Sequence, residues 1–358
     1  MMLIKGLMYN ELGKLKNKAI LFFVFGTSIF LNACGGGDGL SGGNQAPDAV
    51  VQDFPIAYVK RTLPVDDNGN LIPDNFAEPS TFLPGAELIL RDRASPTATE
   101  TVLTAGIFPD GELYDVKDLA VSPDGRKLAF AMRAPEIPNA DPEDQPTWNI
   151  WEYDLDTKVL RRMIASDINA EAGQDTGPEY LPGGDIVFSS TRQRTNKAIL
   201  LDEGKPQYSG LEEGLDVEAS VLHIMATDGS NIHQLTFNQS HDLDPTVLTN
   251  GKIVFSRWDH MGGEKGIHLY QVNPDGTDME YLYGANSHAT GTDGSLVEFF
   301  KAQELPDGDL LVLTRLRFTR NLGAELTRIN VAQYSDNNQP TFDNAGLTGP
   351  AQVSLTGQ

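Results

Sequence analysis

The chain has 358 residues, a formal net charge of −23, 40% hydrophobic residues and one cysteine. That length allows one large domain or two small ones, with enough apolar side chains for a sizeable core. An acidic surface without a basic stripe repels phosphate backbones and excludes nucleic acid as a partner. A single cysteine leaves no internal disulfide, no Cys-x-x-Cys-His haem attachment and no cysteine zinc site.

At the N-terminus, Lys14, Lys16 and Lys18 form a positive stretch, and Ala19 to Leu31 form an apolar one. The apolar run falls short of the roughly 20 residues that span a bilayer, but it suits a signal peptide. It ends in Leu31-Asn32-Ala33-Cys34. This resembles the bacterial lipobox, with Leu three places before the cysteine and a small residue just before it. Asn32 is a less usual middle residue. The resemblance implies a signal peptide over residues 1–33, cleavage after Ala33, and acylation of both the Cys34 sulfur and the new amino group. Three acyl chains exceed the two signals that stable anchoring needs. Gly35 stands where an aspartate often retains lipoproteins in the inner membrane. The expected location is therefore the cell envelope, with the chain held on the outer membrane by lipid on Cys34. Residues 34–50 read as the lipidated cysteine and a tether, in which GGGDGLSGGNQ (35–45) is expected to be flexible.

From residue 51 onward a unit recurs. A turn rich in Pro, Asp and Gly precedes a short β-prone run: SPDG before KLAFAMR, LPGG before DIVFSSTR, TNG before KIVFSRWD, LPDG before DLLVLTRL. The runs start at Leu128, Ile186, Ile253 and Leu310, roughly 60 residues apart, which leaves room for four short strands and their turns. Further strands with Asp-Thr or Asp-Gly turns follow in NIWEYDLDTKVLRRMI, VLHIMATDGSNIHQLT and IHLYQVNPDGTDMEYLY. In such turns Pro presets φ, Asp bonds its own backbone and Gly takes positive φ. The predicted fold is all-β: a β-propeller of four-stranded blades, about five in number, over roughly 51–106, 113–165, 176–237, 243–284 and 294–356. The SPDG and ATDGSNIHQLT copies resemble repeats of TolB and related periplasmic propellers.

The ring is expected to be open. PIAYVKR, AELILRD and TETVLT supply three strands of a first blade without an innermost one, and AQVSLTGQ reads as the outermost strand of the fifth. A longer polypeptide with further blades, or a second chain, would complete such a ring. The segments DVKDLAVSPDGRKLAFAMR, NIWEYDL, GPEYLPGGDIVFSSTR, HIMATDGSNIHQLTFN and HDLDPTVLTNGKIVFSRWDH also resemble the middle domain of the hydrazine synthase alpha subunit, over roughly residues 110–285. That resemblance implies a propeller scaffold. The haem chemistry of that family has no attachment motif here, and no catalytic residue is carried over.

Few residues suggest chemistry. His241 with Asp242 and Asp244 precedes one strand, and Asp259-His260 follows another; a hard or borderline cation could use them, although strand-end Asp and His usually satisfy loop backbone. Asp66-Asp67-Asn68-Gly69-Asn70 is similar to calcium loops but fails the EF-type spacing, which leaves a plain turn as the expected structure. Trp148, Trp151 and Trp258 fit blade cores, with stacking at a central channel as the other possibility. Neither a Gly-x-Ser-x-Gly elbow nor a phosphate loop is present. No cofactor is predicted. The expected function is a membrane-anchored scaffold that binds a periplasmic protein or a ligand. The alternative is the non-catalytic propeller portion of a haem-dependent oxidoreductase assembly.

Overall fold

A computed structural model describes residues 54–66, 68–72, 78–192, 218–261, 264–284, 297–316, 324–332 and 352–356. The expected signal peptide, Cys34 and the expected tether lie outside the described residues. Nineteen described strands form five antiparallel sheets, one of three strands and four of four. The first blade holds β1 (Ile56–Arg61), β2 (Ala86–Arg91) and β3 (Glu100–Val102). The second holds β4 (Asp115–Val121), β5 (Lys127–Arg133), β6 (Trp148–Asp154) and β7 (Val159–Arg162). The third holds β8 (Asp175–Tyr180), β9 (Ile186–Ser190), β10 (Val221–Met225) and β11 (His233–Gln234). β12 (Asp242–Val247), β13 (Ile253–Met261), β14 (Glu264–Val272) and β15 (Glu280–Tyr283) make the fourth, and β16 (Val297–Glu304), β17 (Leu310–Leu316), β18 (Glu325–Ile329) and β19 (Gln352–Ser354) the fifth.

Each sheet is a meander in chain order, as short turns between antiparallel strands dictate. The Ser122-Pro123-Asp124-Gly125 turn shows why. Gly125 takes φ +72° and donates its N–H to Ser122 O at 2.8 Å. The Asp124 carboxylate accepts from the Ser122 hydroxyl at 2.6 Å and from Arg126 N at 3.1 Å. Asp154, Asp228 and Asp275 close the outer hairpins in the same way, by accepting backbone N–H groups two residues on. Part of the chain's acidity is thus turn chemistry.

The core lies between blades. Leu128, Phe130 and Met132 of β5 pack with Ala86, Leu88 and Leu103 of the first blade. From the other face of β5, Ala129 and Ala131 pack with Ile186 and Phe188 of the third. Val187 in turn joins Ile253 and Phe255, and Val254 joins Phe299 and Val312. Second strands are buried on both faces, so they read as continuous apolar runs and not as alternating ones. In the first blade, Glu100 accepts from Lys60, Tyr58 and Arg91. These bonds, that from Lys60 foremost, hold its carboxyl down at about 2.

The propeller is open in its hydrogen bonding. The five sheets stay separate, and no described strand of the fifth blade pairs with the first. The first blade lacks an innermost strand among the described residues, as its sequence predicts.

Candidate functional site

The innermost strands β4, β8, β12 and β16 share one irregularity. Each slips register against its neighbour, between Lys117 and Ala120, Thr176 and Glu179, Leu243 and Thr246, and Phe300 and Gln303. Each slip holds a residue of positive φ: Asp118 (+54°), Gly177 (+57°), Asp244 (+51°) and Lys301 (+53°). A β-bulge re-aims its residue out of the ladder, and here the four converge on the propeller axis. Lys301 Nζ lies 3.0 Å from Asp118 Oδ1 and 2.8 Å from Asp244 Oδ1. Gly177 N donates to the second Asp118 oxygen at 3.2 Å. Blades two, four and five therefore meet through charge, and blade three through a backbone N–H, at a point where no strands pair.

Beside this axial cluster runs a second repeat, an acid on the innermost strand and an arginine in or just beyond the second. Asp242 faces Arg257 in register and accepts from it at 2.7 and 2.9 Å. Glu298 faces Arg315 and accepts at 2.9 Å. Asp175 accepts from Arg192 Nε at 2.9 Å and from the Ser190 hydroxyl at 2.6 Å. The second blade departs from the rule. Asp115 faces Arg133 in register, yet it accepts from Arg61 of the first blade at 2.7 Å and from Leu83 N at 2.8 Å.

The candidate cation ligands whose side chains are described each have partners of their own. Asp242 is held by Arg257 and by Asn238 Nδ2 at 3.1 Å, and Asp244 by Lys301. His241 Nδ1 accepts from Ser220 N at 3.0 Å, and its ring stacks on Trp258 at 5.3 Å. The physical reason is strand geometry: neighbours along an extended chain point to opposite sides. The side chains of Asp259 and His260 lie outside the described residues. No group of three or more His, Cys, Asp or Glu gathers as a metal site among the described residues.

The calcium-like segment is a hairpin turn where it is described. Asp66 accepts from Asn68 N, Asn70 N and Asn70 Nδ2 at 2.8–3.0 Å. Those bonds, led by Asn70, push its carboxyl below the usual range. Trp148 is fully buried in the core between blades two and three, with Nε1 donating to Ser80 O at 2.9 Å. Trp151 packs between blades one and two. His223, fully buried, donates Nδ1–H to Val221 O at 3.0 Å. Burial pushes it down to about 3, so it stays neutral at ordinary pH.

What the axial arrangement does chemically is hold blades together. Lys301→Met leaves Asp118 and Asp244 facing each other across the axis. It is expected to cost about 1.5–3 kcal/mol, the worth of bonds to charged groups, and more at low salt, where the two carboxylates repel over a longer range. Urea unfolding at two ionic strengths reads this. An equal loss at both would count against an electrostatic role.

Sequence reasoning missed Asp118, Lys301 and the acid–arginine pairs. Two signals were present: the bulge residue keeps a constant offset before the turn glycines Gly125, Gly184, Gly251 and Gly308, and an arginine recurs after the apolar start of each second strand.

No family model matches the chain, and no curated protein matches it. Among solved structures, it is similar to hydrazine synthase from Kuenenia stuttgartiensis, with 18% identity and a TM-score of 0.56. The match covers 86% of this chain and 39% of that one. TolB from Acinetobacter baumannii matches with 16% identity and a TM-score of 0.37 over 76% of this chain and 53% of that one. A puromycin-hydrolyzing peptidase from Mycobacterium tuberculosis gives 16% and 0.43 over 81% and 46%. Fold and axial geometry define an open five-bladed β-propeller. The chain is similar in fold to part of hydrazine synthase and spans about two fifths of that protein's length. Among the described residues, no helix is long and apolar enough to cross a membrane.

Proposed function

We propose that the chain is a periplasmic β-propeller, anchored to the outer membrane through acylated Cys34, that acts as a scaffold for a protein or ligand. The observation that carries the scaffold reading is the first blade. Its inner edge, along β1, has no ladder partner among the described residues, and an unpaired edge is a template for another chain. The described axial charges, by contrast, are engaged with one another. The lipobox resemblance supports the anchor.

Anchoring is tested by labelled palmitate. Wild type is expected to take label and Cys34→Ala to take none. Label on the variant would overturn the anchor. The scaffold reading is tested by affinity capture of the tagged chain from envelope membranes, with a stoichiometric protein partner as the expected result.

A second reading follows from the match to hydrazine synthase over most of this chain. In it, the propeller is the non-catalytic portion of a haem-dependent oxidoreductase assembly. A haem protein recovered in equal amount would favour it.

A further inference from the structure

An arginine lies in or just beyond the second strand of blades two to five: Arg133, Arg257 and Arg315 stand opposite an acid on the innermost strand, and Arg192 bonds to one. β1 occupies the second-strand position of the first blade, and its sequence IAYVKR matches LAFAMR of β5. Arg61 is therefore the fifth arginine of the series. Its own innermost strand is missing among the described residues, and it bonds to Asp115, the acid of the next blade, at 2.7 Å and to Val116 O at 3.0 Å. Arg133, displaced from Asp115, donates to Pro146 O at 2.7 Å, stands 4.3 Å over Phe82 and pairs with Glu136 only at 4.0 Å.

The edge has the matching register. In the second blade, Ala129, Ala131 and Arg133 stand opposite Ala120, Lys117 and Asp115 of the innermost strand. Ala57, Val59 and Arg61 hold the equivalent positions on β1. A strand laid antiparallel on them sets its acid opposite Arg61 and brings its bulge residue to the axis beside Asp118 and Lys301.

We infer that the inner edge of β1 is a docking site for an acidic extended segment of a separate polypeptide, read by Arg61 and built on the pattern of the chain's own innermost strands: Asp or Glu, then a turn-forming residue two or three places on. Charge complementarity selects the acid, as in three blades where acid and arginine face each other directly. A separate polypeptide fits because Arg61 already holds a substitute acid. With Asp115 in that place, the buried carboxylate and the partly exposed Arg61 compensate each other while no described strand lies on the edge, as a reversible site requires. On docking, Arg61 takes the incoming carboxylate and Asp115 becomes available to Arg133.

The inference deepens the scaffold reading and rests on it. The test adds a fluorescent peptide copying residues 113–122 of the innermost strand of the second blade to the intact protein. Saturable binding is expected, with none for a scrambled peptide. Arg61→Ala, and separately an Asp-to-Asn change in the peptide at the position matching Asp115, are each expected to weaken binding about tenfold or more, as loss of a charged hydrogen bond does. Together they should weaken it little further, because they remove one interaction. Val59→Pro removes an edge N–H, leaves the Arg61–Asp115 bond in place, and is expected to abolish binding; circular dichroism checks that both variants fold. Binding that ignores Arg61 and the peptide acid overturns the inference. So does a dimer of the chain that the peptide cannot dissolve, which would place a second copy on this edge. Absence of peptide binding alongside a captured envelope partner would refute the edge site and leave the scaffold reading standing.

Discussion

Arg192→Ala is expected to destabilise the protein by about 3–5 kcal/mol at neutral pH, the usual cost of leaving one member of a buried ion pair alone. Asp175 has no exposed side-chain surface, and Arg192 has only 5%. The guanidinium also donates to Asn169 O and Ala170 O, at the end of the short helix Asp167–Ala170. Removing it leaves a buried carboxylate without its counter-charge and takes a donor from two carbonyls in one step. Arg126→Ala breaks a pair that is 67% and 61% exposed and should change stability by less than about 0.5 kcal/mol. Urea unfolding of both variants separates a buried pair from a surface one.

The Arg192 deficit should depend on pH, with a definite sign. Burial pushes Asp175 above the ordinary carboxylate range, while Arg192 and Ser190 pull it back. Without Arg192 the carboxyl rises further. A carboxyl whose folded pKa exceeds its unfolded value binds its proton more tightly in the folded state. It therefore favours folding at low pH and loses that contribution as pH rises from its unfolded value toward its folded one. The deficit should be smallest near pH 4 and grow toward neutrality. Asp175→Asn in the Arg192→Ala background should recover part of the neutral-pH loss, because an amide leaves no charge unpaired. A deficit independent of pH would mean that the lost carbonyl bonds, and not the carboxylate, set the cost.

These charges mark where sequence reading stops. The blades were legible because their signals are local. Pro123, Asp124 and Gly125 specify one turn by their own chemistry, and Leu128 to Met132 carry the apolar run of a strand buried on both faces. The three-stranded first blade was legible for the same reason. The axial cluster was not. Lys301 reaches Asp118 across four blades, a meeting that depends on the curvature of the whole ring and on bulges that leave little trace in sequence. Asp118 and Lys301 are also unlike in charge, which hides that they occupy one repeated position. Acid–arginine pairing within a blade follows from register and could have been inferred from the recurring arginine. The exchange that gives Asp115 to Arg61 could not, since it depends on a strand the first blade lacks among the described residues. His241 and Asp242, adjacent in sequence, have separate partners in Ser220 and Arg257, as neighbours on an extended chain do.

Gly229→Ala is expected to be as damaging as the loss of Arg192, and for a steric reason. Gly229 sits at φ +80° in the Asp228–Ser230 turn between β10 and β11. There the third blade meets the second. A Cβ at Gly229 would lie 2.0 Å from Met163 O and 2.6 Å from Met163 C. Those atoms are backbone, and they cannot swing aside. Met163 N is fixed to Ile150 O at 2.9 Å, and its side chain is buried in the core between the two blades. The neighbouring bond from Arg161 Nη2 to Thr227 O at 2.9 Å holds the same seam closed. Positive φ alone costs a non-glycine residue about 1–2 kcal/mol, and forcing extra atoms into a packed seam adds about 1–3 kcal/mol. The expected loss is therefore about 2–5 kcal/mol. Gly251 provides the control. It has a similar φ of +85° but open space around it, so Gly251→Ala should lose only the conformational share. Urea unfolding of the two variants side by side isolates the steric part. Equal losses would show that the seam between blades two and three opens readily, and that the propeller yields at its blade contacts before its turns.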